Sequence, residues 1–300
     1  MQMNQKSNPM PVVRSIIVCL FYILVSPMVS ADPTKALEAY QLGKYPLAYQ
    51  EFKKSAMKGH SDSQYNLAVM LYSGKGIQRD KAEAVYWFVK AAEAGDKSAQ
   101  YNLGVMFATD KELPNEYPLM EDGEIYFQLG SEKPTTNAEK AFKWYKMAAE
   151  QDHPSAQLNL GVMYNQGVGV EQNFEQAAKW YQKAADNNNA KAQLNLGILY
   201  DVGRGVKKDL AKAAEYYEKA AKIGMRDAQY NLGIIFYNGE LNGKPDYVKS
   251  YAWLALAAEQ GSELAQIYKK KVERKLARKD RPDARKLAIK YYRAHLKPYL

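Results

Sequence analysis

Residues Gly161 to Ala185 read GVMYNQGVGVEQNFEQAAKWYQKAA. The stretch closes one helix, turns through Gly167 and Gly169, and opens a second helix behind Asn173. An Asn side chain at that point can accept a hydrogen bond from the free N–H groups of a first helical turn. The helix before it begins near Gln157 with QLNLGVMY, and that string recurs as QYNLAVMLY at Gln64, QYNLGVMF at Gln100, QLNLGILY at Gln193 and QYNLGIIFY at Gln229. Successive starts lie 36, 57, 36 and 36 residues apart. An aromatic of the second helix follows at Trp87, Trp144, Trp180, Tyr216 and Trp253, spaced 57, 36, 36 and 37. Both series share one long interval, so one unit carries an insertion of 21 residues. Two independent series that agree on a period define a repeat array.

Each unit reads as a helix pair. Helix A runs from about the Gln through the LG and the aromatic. Helix B starts after Asp80, Asn137, Asn173, Asp209 or Asp246, and Asp80 with Glu83 has the spacing of a capping box. Five residues before each Gln stands Gly59, Gly95, Asp152, Asn188 or Gly224, with Gly261 in the same place before Gln266. These residue types best tolerate the left-handed conformation that ends a helix. The G-x-G pairs Gly74/Gly76, Gly167/Gly169 and Gly203/Gly205 do similar work between helix A and helix B. Gly104, Gly161, Gly197 and Gly233 fall inside helix A, where Gly costs about 1 kcal/mol relative to Ala. A cost repeated at one place implies a packing reason: helix B crosses there close to the backbone of helix A, and the repeating aromatic fills the larger space beside it. One helix pair cannot cover its own apolar face, so neighbours stack and the core runs along the array.

The LG-x-x-Y, G-x-G-V, D-x-x-x-A-x-x-W-Y-x-K-A-A and terminal Gly of these units resemble the SEL-one-like repeat (SLR), a relative of the tetratricopeptide repeat. The resemblance covers about Thr34 to Gly261. It implies an all-α fold, a right-handed α/α superhelical solenoid, and a scaffold or adaptor role common in bacterial envelope and secreted proteins. The cysteine-rich members tie each repeat with a disulfide. This chain has one Cys, Cys19, so the penicillin-directed activity associated with that subset is not carried over.

The 300 residues are 47% hydrophobic and 25% charged, which excludes a disordered chain and a polytopic membrane protein. One Cys and three His leave no disulfide framework and no Cys-rich metal site; no metal and no cofactor is implied. At the N-terminus, Lys6 and Arg14 precede the apolar run Ile16–Val25, IIVCLFYILV, which Pro27 breaks before Val29-Ser30-Ala31. This is the three-part pattern of a secretory signal peptide over 1–31 with cleavage after Ala31, and the expected location is periplasmic or secreted. An uncleaved anchor is the competing reading. No later stretch reaches the ~20 apolar residues of a spanning helix, so no transmembrane span is expected after signal removal.

The organisation expected from the pattern is a capping helix pair over 32–59, five repeats over 60–261 with an insertion at about 109–134, and basic capping helices over 262–300. The net charge of +9 is local: residues 269–300 hold 13 Lys or Arg against 3 Asp or Glu. Those helices are either a solvated cap or a dock for anionic envelope material such as cell wall. Nucleic acid is not expected as a partner, since no recognition motif is present.

Two contact sites suggest themselves. The insertion carries seven acids, among them Glu121, Asp122 and Glu124, together with Tyr117, Tyr126 and Phe127. It is either a binding loop or a tolerated surface excursion. Asn66, Asn102, Asn159, Asn195 and Asn231 occupy one place in every helix A. In tetratricopeptide-like superhelices that helix lines the concave groove. An Asn amide there can clamp a peptide backbone, or else bond between repeats and set their register. No catalytic residues are assigned. His60 and His153 sit at the same position of different repeats, and there is no G-x-S-x-G, H-E-x-x-H or P-loop. The sequence therefore points to a non-enzymatic scaffold that binds a protein or peptide on its concave face. The alternative is an anionic-surface module built on the basic C-terminal helices.

Overall fold

The computed structural model of the chain describes residues 34–110, 113, 118–121, 124–127 and 136–296. The leader expected over 1–31 lies outside them. Helices α1 (Thr34–Gln41) and α2 (Tyr45–Ala56) form a first, short pair. Five longer pairs follow: α3 (Ser61–Ser73) with α4 (Lys81–Glu93), α5 (Lys97–Thr109) with α6 (Asn137–Glu150), α7 (Pro154–Gln166) with α8 (Phe174–Asp186), α9 (Ala190–Val202) with α10 (Leu210–Lys222), and α11 (Arg226–Asn238) with α12 (Tyr247–Glu259). Then come α13 (Glu263–Lys275), a 3₁₀ turn over Arg278–Asp280, and α14 (Arg281–His295). Each helix packs chiefly on the ones before and after it, which makes an all-α solenoid. The exception is α14, which folds back on α12 and reaches α10. Helix α12 is thereby covered by α11, α13 and α14, and its Leu254, Leu256 and Ala257 are buried. The insertion adds the fold's only described strands, a hairpin of β1 (Pro118–Glu121) and β2 (Glu124–Phe127), with Pro118 opposite Phe127 and Glu121 opposite Glu124.

Helix ends follow the side chains that can satisfy them. Asp80, Asn173, Asp209 and Asp246 each accept a bond from the third backbone N–H of helix B. Asn137 does not. It is the first residue of α6, and Thr136 is the cap, in a complete capping box with Glu139. The box expected at Asp80 is only half formed, because the Glu83 carboxylate turns to Lys53 at 3.1 Å and to the Trp87 indole N–H at 3.2 Å. At the C-terminal ends of helix B, Asp152 and Asn188 adopt φ of 57° and 59° where other units use glycine, so the left-handed turn is kept without it.

The glycine inside helix A makes room chiefly for a helix B side chain, and only in part for the backbone approach expected. A Cβ added at Gly161 would stand 2.6 Å from the Tyr181 ring, and at Gly197 2.7 Å from the Tyr217 ring. Gly104 faces Tyr145 in the same way, and Gly233 faces Leu254. The glycine thus makes room first for a side chain, and at Gly197 and Gly233 the helix B backbone also comes close to the added Cβ, at 3.3 Å for Ala213 O and 3.4 Å for Leu254 N. That side chain is the residue after the Trp or Tyr singled out by the period. Tyr145, Tyr181 and Tyr217 are buried, whereas Trp180 and Tyr216 are half-buried. In the first repeat Ala68 replaces the glycine and Phe88 replaces the tyrosine, both buried.

The Gln that opens each helix A motif ties consecutive units. Gln64, Gln100, Gln157, Gln193 and Gln229 are buried and donate Nε2 to the carbonyls of Ala56, Ala92, Ala149, Ala185 and Ala221, at the end of the preceding helix B, at 3.2, 3.0, 3.3, 3.4 and 3.1 Å. Three of the five also accept on Oε1 from the end of the next helix B: Gln100 from Gln151, Gln157 from Asn187 and Gln229 from Gln260. The matching residues for Gln64 and Gln193 are Ala94 and Ile223. Those two Oε1 atoms are buried without a partner among the described residues.

Candidate functional site

The helix A face carries two parallel rows. The Asn row, Asn66, Asn102, Asn159, Asn195 and Asn231, is half-buried in every unit. Asn102 Nδ2 donates to Tyr65 OH of the preceding helix A at 3.2 Å. The Asn195 and Asn231 amides lie beside the Tyr181 and Tyr217 hydroxyls of the preceding helix B. Both phenols are held well above the usual tyrosine range, chiefly by burial, with the Asp201 carboxylate adding to the effect at Tyr217. These contacts place Asn side chains between units. Each uses only part of an amide that offers two donors and an acceptor oxygen, and half-burial leaves the rest accessible.

Beside the Asn row, three residues further along each helix, runs an aliphatic row: Val69, Val105, Val162, Ile198 and Ile234. On α9 it is the most open, with Ile198 38% and the following Val202 49% exposed, whereas Val105 and Ile234 are buried in the core. The sequence carried the signal for this row, because an aliphatic residue follows the Gly or Ala of every helix A motif, but the glycine drew the attention. An amide row next to an aliphatic row offers a chain in extended conformation both hydrogen bonds for its backbone and contacts for alternate side chains.

The insertion is tethered to the array at its start. Leu113 is buried, its carbonyl accepts from Asn137 Nδ2 at 3.4 Å, and β1 passes beside α4. Of the insertion residues singled out, Glu121, Glu124, Tyr126 and Phe127 belong to the hairpin backbone, and Tyr117 and Asp122 lie outside the described residues. The insertion and the Asn row are not brought together by any described contact.

His60 and His153 both precede the first residue of a helix A. His153 Nδ1 accepts the Ala156 N–H at 3.2 Å, and its ring stacks on Tyr101 with centroids 4.4 Å apart. Burial, with help from nearby Lys97, lowers its pKa to about 4, so the imidazole is a neutral cap. Among the described residues there is no group of three or more His, Cys, Asp or Glu that could hold a metal ion. No described helix is long and apolar enough to cross a membrane.

Helix pairs stacked at a constant period, with a repeated polar–aliphatic face, define an α/α repeat solenoid. The chain belongs to the Sel1 repeat family, whose pattern matches residues 61–96, 97–114, 121–153, 154–189, 190–225 and 226–262. The segments 97–114 and 121–153 both run into the connection between α5 and α6 and share that helix pair. The crystal structure of a Sel1 repeat protein from Oxalobacter formigenes superposes with a TM-score of 0.60 at 28% identity, covering 77% of this chain and 83% of that one. Among curated proteins, the DAP3-binding cell death enhancer 1 of Rattus norvegicus is 37% identical over 151 residues, 45% of this chain and 30% of that protein. The ERAD-associated E3 ubiquitin-protein ligase component HRD3B of Arabidopsis thaliana is 28% identical over 127 residues, 42% of this chain and 16% of that protein. The chain thus spans less than a third of the length of the curated relatives it matches. Sel1 repeat proteins generally mediate protein–protein interaction, and the repeat is generally a non-catalytic scaffold.

Proposed function

We propose that this chain is an exported, non-enzymatic scaffold of the bacterial envelope that binds an extended segment of a protein partner along its helix A face. The observation that carries the reading is the pairing of the Asn row with aliphatic residues that reach the surface on α3, α7 and α9, at Val69, Val162 and Ile198. Export rests on the leader pattern over 1–31 alone. The two curated relatives are described as a binding protein and as a ligase component, which suits a module that holds other proteins together. The test is site-specific photo-crosslinking in intact cells, with the crosslinker at Ile198 or Val202 and a control at exposed Lys179 on α8. The expected result is a discrete adduct from the two helix A positions that Asn195→Ala with Asn231→Ala removes. Equal adducts at Lys179, or adducts indifferent to the two substitutions, would overturn the assignment.

A second reading rests on the basic C-terminal helices, whose Lys270, Lys271, Arg274, Lys286 and Lys290 are all exposed. A cationic surface of this kind attracts cell wall or another anionic envelope surface, and the attraction weakens with salt.

A further inference from the structure

Consecutive B helices leave clefts floored by the repeating aromatic, and among the described residues the chain closes four of the five itself. Between α2 and α4, the Trp87 indole donates to Glu83, which pairs with Lys53. Between α4 and α6, Trp144 is buried and β1 of the insertion passes beside α4. Between α8 and α10, Tyr216 OH donates to Gln182 Oε1 at 2.7 Å and its ring stacks on Tyr200. Between α10 and α12, the chain's own α14 fills the space. Tyr291 lies 4.3 Å from Trp253 between ring centroids, and His295, one turn on, stacks on the same indole at 5.9 Å.

The remaining cleft, between α6 and α8, is open. It is a cavity of about 550 Å³ lined by Trp180, Tyr164, Gln176, Lys146, Glu150 and Glu171, among others. Trp180 is half-buried, whereas Trp87, Trp144 and Trp253 are only 2–3% exposed. In register, Lys146 and Glu150 stand two repeats before Glu218 and Lys222, the α10 residues next to Tyr291 and His295. The Trp180 cleft is therefore the same seat as the one α14 occupies. The exposed Lys183 holds its ammonium 4.6 Å from the indole centroid and would swing aside.

We propose that the Trp180 cleft is a docking site for an amphipathic helix of a partner protein that presents two aromatic or imidazole rings one turn apart, as α14 presents Tyr291 and His295 to Trp253. Glu150 and Glu171 are balanced by Lys146, which pairs with Glu150 at 4.0 Å, and by Lys183 over the indole, so the occupant is defined by the paired rings that suit the indole, as α14 shows in the equivalent seat, and not by net charge. This site is separate from the helix A face and does not depend on what that face binds.

The experiment uses the full chain labelled with ¹⁵N and a synthetic peptide copying Arg281–His295 as the probe. The Trp180 indole N–H signal is identified by its loss in Trp180→Phe. The expected result is a saturable shift of that signal, with affinity falling at least tenfold when the Tyr and His of the peptide are both replaced by Ala. Because that change is on the peptide, it leaves the solenoid intact. No shift at Trp180, a shift at the Trp253 indole alone, or indifference to the peptide change would overturn the proposal. Movement of the Trp180 signal on raising protein concentration without peptide would assign the cleft to a second copy of the chain and overturn the partner reading.

Discussion

Gln260 Nε2 donates to Gln229 Oε1 at 2.8 Å, and Gln229 Nε2 in turn reaches the Ala221 carbonyl at 3.1 Å. One buried amide thereby joins the ends of α10 and α12 through the start of α11. The same clasp is broken at Gln193, because Ile223 stands where Gln260 or Asn187 would donate. A buried acceptor left unpaired costs about 1–3 kcal/mol, and Ile223 is 41% exposed, so little burial is lost by changing it. Ile223→Asn is expected to raise the stability of the array by about 1 kcal/mol. A urea midpoint that stays level or falls would show that the Gln193 oxygen is satisfied in some other way.

Gly197→Ala sets two effects against each other. Ala is the better helix former by about 1 kcal/mol, but its Cβ would meet the Tyr217 ring and stand 3.3 Å from the Ala213 carbonyl oxygen. Overpacking of a close-packed site costs about 1–3 kcal/mol, and Tyr217 is buried with its hydroxyl bonded to Asp201 at 3.3 Å, so it cannot retreat freely. The expected outcome is net destabilisation. Denaturation that gives a higher midpoint for the variant than for the parent chain would contradict the packing account.

What the sequence made legible was whatever repeats in register. The period, the helix pairs, the insertion and the left-handed turns at Asp152 and Asn188 all follow from residue types at fixed spacing. The phase of helix B was harder, since Trp180 and Tyr181 are adjacent and both aromatic. Only the packing shows that Tyr181 enters the notch made by Gly161 while Trp180 stays at the surface. The Gln clasp was hidden for another reason: its acceptors are backbone carbonyls, which leave no mark on the sequence. At the candidate site the Asn row could be read directly, but its division between Tyr hydroxyls and free amide capacity depends on distances between units. The Trp180 cleft was invisible, because it is defined by what α14 does in an equivalent place 73 residues later.

His153 gives the chain a pH dependence. In the fold its pKa is lowered to about 4, mainly by burial, from an ordinary value of 6.5. Between those values the unfolded chain binds more protons, so stability is full above about pH 6.5 and drains away as pH falls toward 4. His153→Asn keeps a side-chain acceptor at the cap, as Asn189 does for Ala192 at 3.0 Å one repeat later, and removes the titration. Denaturant midpoints at pH 4.5 and 7.5 are expected to converge in this variant. An unchanged gap between them would place the proton uptake elsewhere.

A simple truncation of the basic C-terminal region would confuse the loss of charge with the loss of core cover. Helix α14 covers Trp253 through Tyr291, so removing residues 269–300 uncovers a core indole as well as stripping charge. Single substitutions separate the two. Tyr291→Ala removes the ring that lies tilted against Trp253, which costs about 1–3 kcal/mol in lost burial and ring contact, and it is expected to shift Trp253 fluorescence to the red. Replacing exposed Lys270, Lys271, Lys286 and Lys290 with Gln leaves that contact intact, and isolated surface changes each stay within about 0.5 kcal/mol. If the cap docks on an anionic surface, the fourfold Gln variant is expected to keep its denaturation midpoint and lose salt-sensitive sedimentation with purified cell envelope, whereas Tyr291→Ala loses stability first. Sedimentation that persists in the fourfold variant would mean that the lysines serve only to keep the end of the solenoid wetted by solvent, and that α14 is there to seal Trp253.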